Sequence, residues 1–265
     1  MTVTICVAGA TGWTGRAVAE AVVAADDLRL VSAVSRSASG QDLGQAWGGE
    51  ANGVPVHGTV IEALEGVDVL IDYTSHEAVL DNTLTALRNR VAVVVGSSGL
   101  GADEYAEIES AALENGVAVV AAGNFSLTAA LAQATALLAA RHLPSWEIVD
   151  YASASKPDAP SGTARELAER LAEIKAPDVK IPVPETAGHV EARGATVAGT
   201  QVHSVRLPGF TVSTEVVFGL PDERLTIRHD AGMSAAPYVA GTLLAARAID
   251  GRRGLTRGLD TLLLS

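Results

Sequence analysis

Cysteine occurs once in the 265 residues, at Cys6, so no internal disulfide can form and the chain reads as one that folds in a reducing compartment. Cys6 itself reads as a small apolar side chain within a strand. Positive charge is also scarce. With 19 Lys and Arg against 31 Asp and Glu the formal net charge is −12, and such a surface repels phosphate backbones and anionic lipid. Nucleic acid and membrane surfaces are therefore not expected as partners. Three Trp and three Phe are too few to build a platform for stacked bases. No apolar run approaches the ~18 to 20 residues that cross a bilayer. The first residues read as a strand with neither a basic leader nor a small-residue cleavage site, which leads us to expect a cytoplasmic protein. His57, His76, His142 and His189 are scattered without ligand spacing, so no metal site is expected.

Short β-branched runs alternate with helical patterns up to about residue 123. The candidate strands are Thr4 to Ala8, Arg29 to Val34, Asp68 to Asp72, Val91 to Val95 and Val117 to Ala121. They carry little or no charge, which predicts βαβ units and a parallel sheet covered on both faces. Before the last strand, Tyr105, Ile108 and Ala112 share a helix face that Asn115-Gly116 closes. Beyond Phe125 the pattern changes: a small-residue helix (Leu127 to Ala140), a strand (Trp146 to Tyr151) and a helix (Ala164 to Ile174). Three further strand-like stretches follow, Thr196 to Leu207, Phe210 to Phe218 and Arg224 to His229. Their short Gly and Pro turns predict a mostly antiparallel sheet in a second, α+β domain. A last helix, with Tyr238, Thr242, Ala245 and Ile249 at helical spacing, could join either domain.

The first strand runs into Gly9-Ala10-Thr11-Gly12-Trp13-Thr14-Gly15-Arg16, and an apolar helical pattern follows. Such a turn lets backbone approach a pyrophosphate and aims the amides of a helix N-terminus at its charge, so a dinucleotide is expected here. In an open α/β sheet the ligand lies beyond the carboxyl ends of the strands. The ends are Gly9 to Gly15, Ser35-Arg36-Ser37, Asp72-Tyr73-Thr74, Gly96-Ser97-Ser98-Gly99 and Gly123-Asn124-Phe125-Ser126, small or polar throughout. About 20 positions past the glycine turn, where a carboxylate would hold the ribose of NAD, stand Ser35 and Arg36. An arginine and hydroxyls suit a 2′-phosphate instead, so NADPH is expected and NADH more weakly.

A second anion seat is predicted in Lys156-Pro157-Asp158-Ala159-Pro160-Ser161-Gly162-Thr163, which joins a strand to a helix. Thr163 and Glu166 are spaced as a capping box, which would aim the amides near Gly162 and Thr163, with Lys156 beside them, at a carboxylate.

This loop resembles the signature loop of the dihydrodipicolinate reductases, also called 4-hydroxy-tetrahydrodipicolinate reductases, enzymes of bacterial lysine synthesis. The resemblance extends over nearly the whole chain, through Val7 to Arg16, Asp72 to Thr74, Gly96 to Gly99, Asn124 to Ser126, His203 to Arg206 and Glu223 to His229. It implies an N-terminal Rossmann domain (residues 1–124 and 236–265), and a substrate and tetramerisation domain (residues 125–235) that assembles a homotetramer. It also implies hydride transfer from a nicotinamide to a ring C=N bond. On that pattern the expected cofactor residues are Gly9, Thr11, Gly12, Trp13, Thr14, Ser35, Arg36, Ser37, Tyr73, Thr74, Gly96, Ser97, Ser98, Asn124 and Phe125. Lys156, Ser161, Gly162 and Thr163 are expected to hold a substrate carboxylate.

One departure bears on the chemistry. Ala152 and Ser153 stand where the family carries two adjacent histidines credited with proton donation and substrate binding, and an arginine usual after the counterpart of His229 is missing, with Ser234 nearby. Without that imidazole, a cyclic imine basic enough to bind already protonated needs no donor, and Lys156, Tyr151 or a water would serve a weaker base, with Ser153 at the vacated position. The leading expectation is an NADPH-dependent reductase of a small, carboxylated cyclic imine. The alternatives are the lysine-pathway reaction itself with a relocated acid, a non-catalytic NADPH-binding protein, and a short-chain dehydrogenase. The last fits poorly, because Tyr151 and Lys156 are five apart and begin in a strand rather than four apart on a helix.

Overall fold

A computed structural model describes residues 2–264. The chain divides into two compact units, Met1–Leu127 with Ala235–Ser265, and Thr128–Ser234.

The first unit runs β1 (Val3–Ala8), α1 (Trp13–Val23), β2 (Leu28–Val34), α2 (Leu43–Ala46), β3 (Val56–His57), α3 (Val60–Ala63), β4 (Val69–Asp72), α4 (Val79–Arg88), β5 (Ala92–Val95), α5 (Ala102–Asn115) and β6 (Ala118–Ala121). After the second unit it resumes with α8 (Ala236–Ala248), β12 (Gly254–Arg257) and α9 (Asp260–Leu263). Its seven strands form one parallel sheet, β12-β6-β5-β4-β1-β2-β3. Helices cover both faces, which is why β4, β5 and β6 are nearly all aliphatic and buried. Cys6 lies inside β1, and burial pushes its thiol up to about 12, so it packs as a neutral side chain. The chain winds outward in both directions from β1 and β4, so the order reverses between them. That junction is the topological switch point, where the strand ends leave a crevice.

Two of these strands escape sequence reading. β3 has two residues, and β12 has only Leu255 as a strong hydrophobe; each is recruited by pairing with an edge already formed. The last helix, α8, packs on α1 and is tied to the loop before β2 by Arg247, whose guanidinium donates to Asp27 at 2.6 and 2.8 Å. In α5, Ile108 and Ala112 are buried and Gly116 ends the helix at φ 67°, the left-handed conformation expected of Asn115-Gly116.

The second unit holds α6 (Leu127–His142), β7 (Ser145–Ala152), α7 (Gly162–Ile174), β8 (Ala195–Val197), β9 (Thr200–Arg206), β10 (Val212–Leu220) and β11 (Glu223–Asp230). The sheet order is β11-β10-β7-β9-β8, antiparallel except for β7 with β9. That parallel pair needs a long crossover, which α7 and the polar segment after it supply. The single strand expected over Thr196 to Leu207 is instead a hairpin. Ala198 at φ 46° and Gly199 at φ 84° form its two-residue turn, and an alanine gives little warning of such a turn. β7 alternates strictly: Trp146, Ile148, Asp150 and Ala152 are buried while the residues between them are half-buried. Ala136 and Ala140 of α6 and Leu167 and Leu171 of α7 pack on the buried face with Trp146, Ile148 and Phe218, forming one core. Among the described residues no helix is long and apolar enough to cross a membrane.

Candidate active site

In the first unit, the turn after β1 is built as a dinucleotide turn must be. Gly9 sits at φ 80°, and a Cβ there would come within 2.4 Å of the Tyr73 carbonyl oxygen. A Cβ on Gly15 would come within 2.1 Å of the Gly9 carbonyl, so α1 can rest this close to the turn only with glycine there. Gly12 precedes the helix in extended conformation, and no side chain caps α1, which leaves its first amides for a ligand. Beyond the ends of β1, β2 and β4 opens a cavity of about 590 Å³, within the usual range for small-molecule and cofactor sites. Of the residues expected from sequence, Gly9, Thr11, Gly12, Ser35, Arg36, Ser37, Tyr73 and Thr74 border it. Thr11 Oγ1 lies 2.7 Å from Ser35 Oγ, itself 3.2 Å from Ser37 Oγ, so the hydroxyls form a chain along one wall. Arg36 is exposed at the rim and makes no ion pair among the described residues. Gly58 and Thr59, in the connection before α3, and Asn82 of α4 also line the cavity, and nothing in their own stretches of sequence marks them for a ligand.

The other expected residues lie around the cavity rather than in its wall. Trp13, exposed at the first turn of α1, meets the Tyr238 ring edge-on at 5.9 Å. Thr14 follows it in the helix. Gly96 backs onto the Tyr73 ring, where a Cβ would approach within 2.3 Å. Asn124 accepts from the Ser126 amide at 2.8 Å, and Phe125 is buried with its ring 6.3 Å from that of Tyr73. Thr242 spends its proton on the Tyr238 carbonyl, so the Tyr73 hydroxyl donates to Thr242 Oγ1 at 2.6 Å. Burial raises the Tyr73 phenol above its ordinary value, so it stays protonated.

Asp72 organises these loops. Fully buried at the end of β4, it accepts from the Thr74 amide (2.8 Å), Thr74 Oγ1 (2.7 Å), Asn82 Nδ2 (2.8 Å) and Ser97 Oγ (2.7 Å). Four donors offset the cost of burying a carboxylate, and they fix the loops after β4 and β5 to each other. Ser98 next to it is exposed.

In the second unit a similar hub shapes the Lys156–Thr163 loop. Asp150, fully buried on β7, accepts from Ser161 Oγ (2.6 Å), the Ser161 amide (2.9 Å), Ser204 Oγ (3.1 Å) and Arg206 Nη2 (2.8 Å). Arg206 also donates to the Asp158 carbonyl at 2.7 Å, pinning the loop midway. Ser161, not Thr163, is the N-cap of α7, its hydroxyl accepting from the Ala164 amide at 3.3 Å. The expected Thr163–Glu166 capping box does not form: Glu166 is buried and accepts from Gln133 Nε2 at 3.1 Å. Sequence spacing named the wrong cap because the deciding partner, Asp150, is eleven residues away. Gly162 and Thr163 are consequently the first helical residues, where amides have no partner within the helix.

Lys156 Nζ lies 2.8 Å from Asp158 Oδ1, which occupies one of its three protons. Ser153 and Ser155 pair their hydroxyls at 2.9 Å in an exposed turn. Tyr151 is not brought to this end of α7. It projects from the face opposite Asp150, since neighbouring strand residues point apart, and it lies under the Arg228 guanidinium (4.8 Å) beside Phe210 (5.1 Å). His229 of β11 is the side chain sequence reading passed over: with Thr163, Gln133 and Thr214 it lines a small cavity at the α7 N-terminus. Burial lowers its pKa below the ordinary 6.5, only partly opposed by Asp230. Neutral His229 therefore adds stability that is full above pH 6.5 and lost as pH falls through the lowered value. Urea titrations at pH 7.5 and 5.5 should show a smaller loss on acidification for His229→Asn than for the parent protein, and equal losses would refute this assignment.

The comparisons follow the same division of the chain. Residues 3–125 match the family model for the N-terminus of dihydrodipicolinate reductase, and residues 124–263 that for its C-terminus. The chain is 38% identical to the 4-hydroxy-tetrahydrodipicolinate reductase of Synechococcus elongatus over 98% of both chains. It is 37% identical to that of Moorella thermoacetica, over 99% of this chain and 98% of the relative. Among solved structures it resembles a dipicolinate-bound dihydrodipicolinate reductase from Paenisporosarcina sp. TG-14, with TM-score 0.78 and 28% identity over 98% of this chain and 99% of the other. The chain thus belongs to the dihydrodipicolinate reductase family, NAD(P)H-dependent oxidoreductases acting on a C=N bond.

Proposed function

We propose that this chain reduces the C=N bond of 4-hydroxy-tetrahydrodipicolinate with NADPH. The observation that carries the reading is the Lys156–Thr163 loop, held by buried Asp150 so that a lysine and a helix start stand at one end of the substrate unit, in a chain matched end to end by reductases of that name. When bound, the reduced nicotinamide supplies a hydride. The chain's residues do the rest: the Gly9–Gly15 turn and the α1 amides take the pyrophosphate, Arg36 with Ser35 and Ser37 takes the 2′-phosphate, and Asp72 holds the Thr74 and Ser97 loops in place. In the second unit Lys156, Ser161, Gly162 and Thr163 hold a substrate carboxylate.

The expectation of a different cyclic imine rested on Ala152 and Ser153. Ala152 is wholly buried and offers no proton, and this observation keeps the wider substrate range as a second reading. The relatives' names favour the lysine precursor. One assay separates the two: oxidation of NADPH with enzymatically generated 4-hydroxy-tetrahydrodipicolinate and with a panel of simple cyclic imines. Turnover of the panel with none of the lysine precursor would overturn the first reading.

Arg36→Ala should weaken NADPH by roughly 10- to 150-fold, the worth of a charged hydrogen bond, and leave NADH nearly unchanged. Calorimetry with both coenzymes checks this, and equal weakening would remove Arg36 from the 2′-phosphate. A homotetramer is proposed as well, because α6 and α7 cover one face of the five-stranded sheet and the other carries half-buried Glu147, Val149 and Tyr151. Sedimentation of a monomer at micromolar concentration would contradict it.

A further inference from the structure

Just before the loop lysine, Ala152 carries no proton donor and the Ser153 hydroxyl is turned into a pair with Ser155. The imidazole that does stand at the start of α7 is on another strand. His229 pairs across the ladder with Thr214 of β10, and both side chains border a cavity of about 20 Å³ with Gln133 of α6 and Thr163 of α7. Thr163 is one of the residues that hold the substrate carboxylate in the reading above. Thr214 is 7% exposed, and its Oγ1 is buried with no hydrogen-bond partner. A buried hydroxyl left this way costs free energy, so a polar occupant is called for. The volume suits one water, which needs about 10–15 Å³ and two or more polar neighbours, and Thr214, Gln133, Thr163 and His229 supply these.

We propose that His229 is the proton source for the reduction, acting through a single water seated between Thr214 and the start of α7. The proposal rests on the imine-reductase reading. As the ring carbon accepts the hydride, the C=N π pair moves to nitrogen. Nitrogen takes a proton from the water, the water takes one from the imidazolium, and neutral His229 is recharged from solvent. Asp230 beside His229 on β11 favours the imidazolium against the larger, opposite effect of burial; Glu166 of α7 is held by Gln133, which lines the cavity.

The test uses two substrates and the whole 265-residue chain. A cyclic imine too weakly basic to bind as the iminium must be protonated during reduction; its N-methyl iminium counterpart, already cationic, must not. His229→Asn is expected to lower kcat for the imine at least 10-fold, to leave the iminium rate within two-fold, and to leave calorimetric binding of dipicolinate within two-fold. Thr214→Val, which keeps the shape and removes the hydroxyl, is expected to show the same pattern at several-fold, and it carries the test if His229→Asn does not fold. Equal losses on both substrates would assign His229 to structure, and unchanged imine rates would assign it no role. Either outcome overturns the proposal. If the parent protein binds NADPH and dipicolinate but reduces neither compound, the reductase reading itself fails, a result distinct from both.

Discussion

Asp150→Ala is expected to destabilise the substrate unit by about 3–5 kcal/mol, the usual cost of leaving one partner of a buried ion pair alone. The carboxylate is fully buried, and Arg206, which is only 18% exposed, would lose the charge that neutralises it. Ser161 would lose both bonds that hold the start of α7, and the midpoint of the loop would lose its indirect anchor through Arg206 and the Asp158 carbonyl. Urea unfolding followed by tryptophan fluorescence reads the effect, since Trp146 lies in the same core. Dipicolinate binding should fall with it, because the amides of Gly162 and Thr163 would no longer be held in place. Asp150→Asn, which retains one acceptor and the volume, should cost less. A midpoint shift of under about 1 kcal/mol for alanine, no larger than an ordinary neutral hydrogen bond, would show that Asp150 is not the hub its contacts describe.

Lys156→Ala is expected to raise KM for a carboxylated imine by roughly 10- to 150-fold, with kcat changed far less, because a charged hydrogen bond made equally in ground and transition states is lost. Stability should barely move. The Lys156–Asp158 pair is partly exposed, and such pairs contribute about 0–1 kcal/mol. Asp158 takes only one of the ammonium protons, so the other two remain for substrate. An imine without a carboxylate should show no change in KM. An unchanged KM for the carboxylated substrate would remove Lys156 from the seat.

The parallel sheet was legible from β4, β5 and β6 alone, since strands buried on both faces must be aliphatic throughout. The glycine turn was legible because Gly9 needs positive φ and Gly15 must lack a Cβ against the Gly9 carbonyl six residues before it, whereas the close approach of Gly9 to the Tyr73 carbonyl is set only by the fold. The second sheet was read correctly as mostly antiparallel, but the Ala198-Gly199 turn was missed, since alanine seldom adopts the left-handed conformation. Thr163 was named as a cap on spacing, whereas Ser161 takes that place through Asp150, a contact between elements. Tyr151 reads as a candidate donor because it precedes the loop in sequence, and strand alternation turns it to the other face.

Charge balance, hydrophobic period and glycine spacing were set by the order of residues alone, and with them the α/β class, the glycine turn after β1 and the Lys156–Thr163 loop. Those properties depend on neighbours within a few positions along the chain. Which carboxylates become buried hubs, where α8 and β12 attach, and that His229 stands beside Thr163 were decided only by the tertiary structure. Such facts arise from strand register and helix packing between residues tens of positions apart, and no local pattern encodes them.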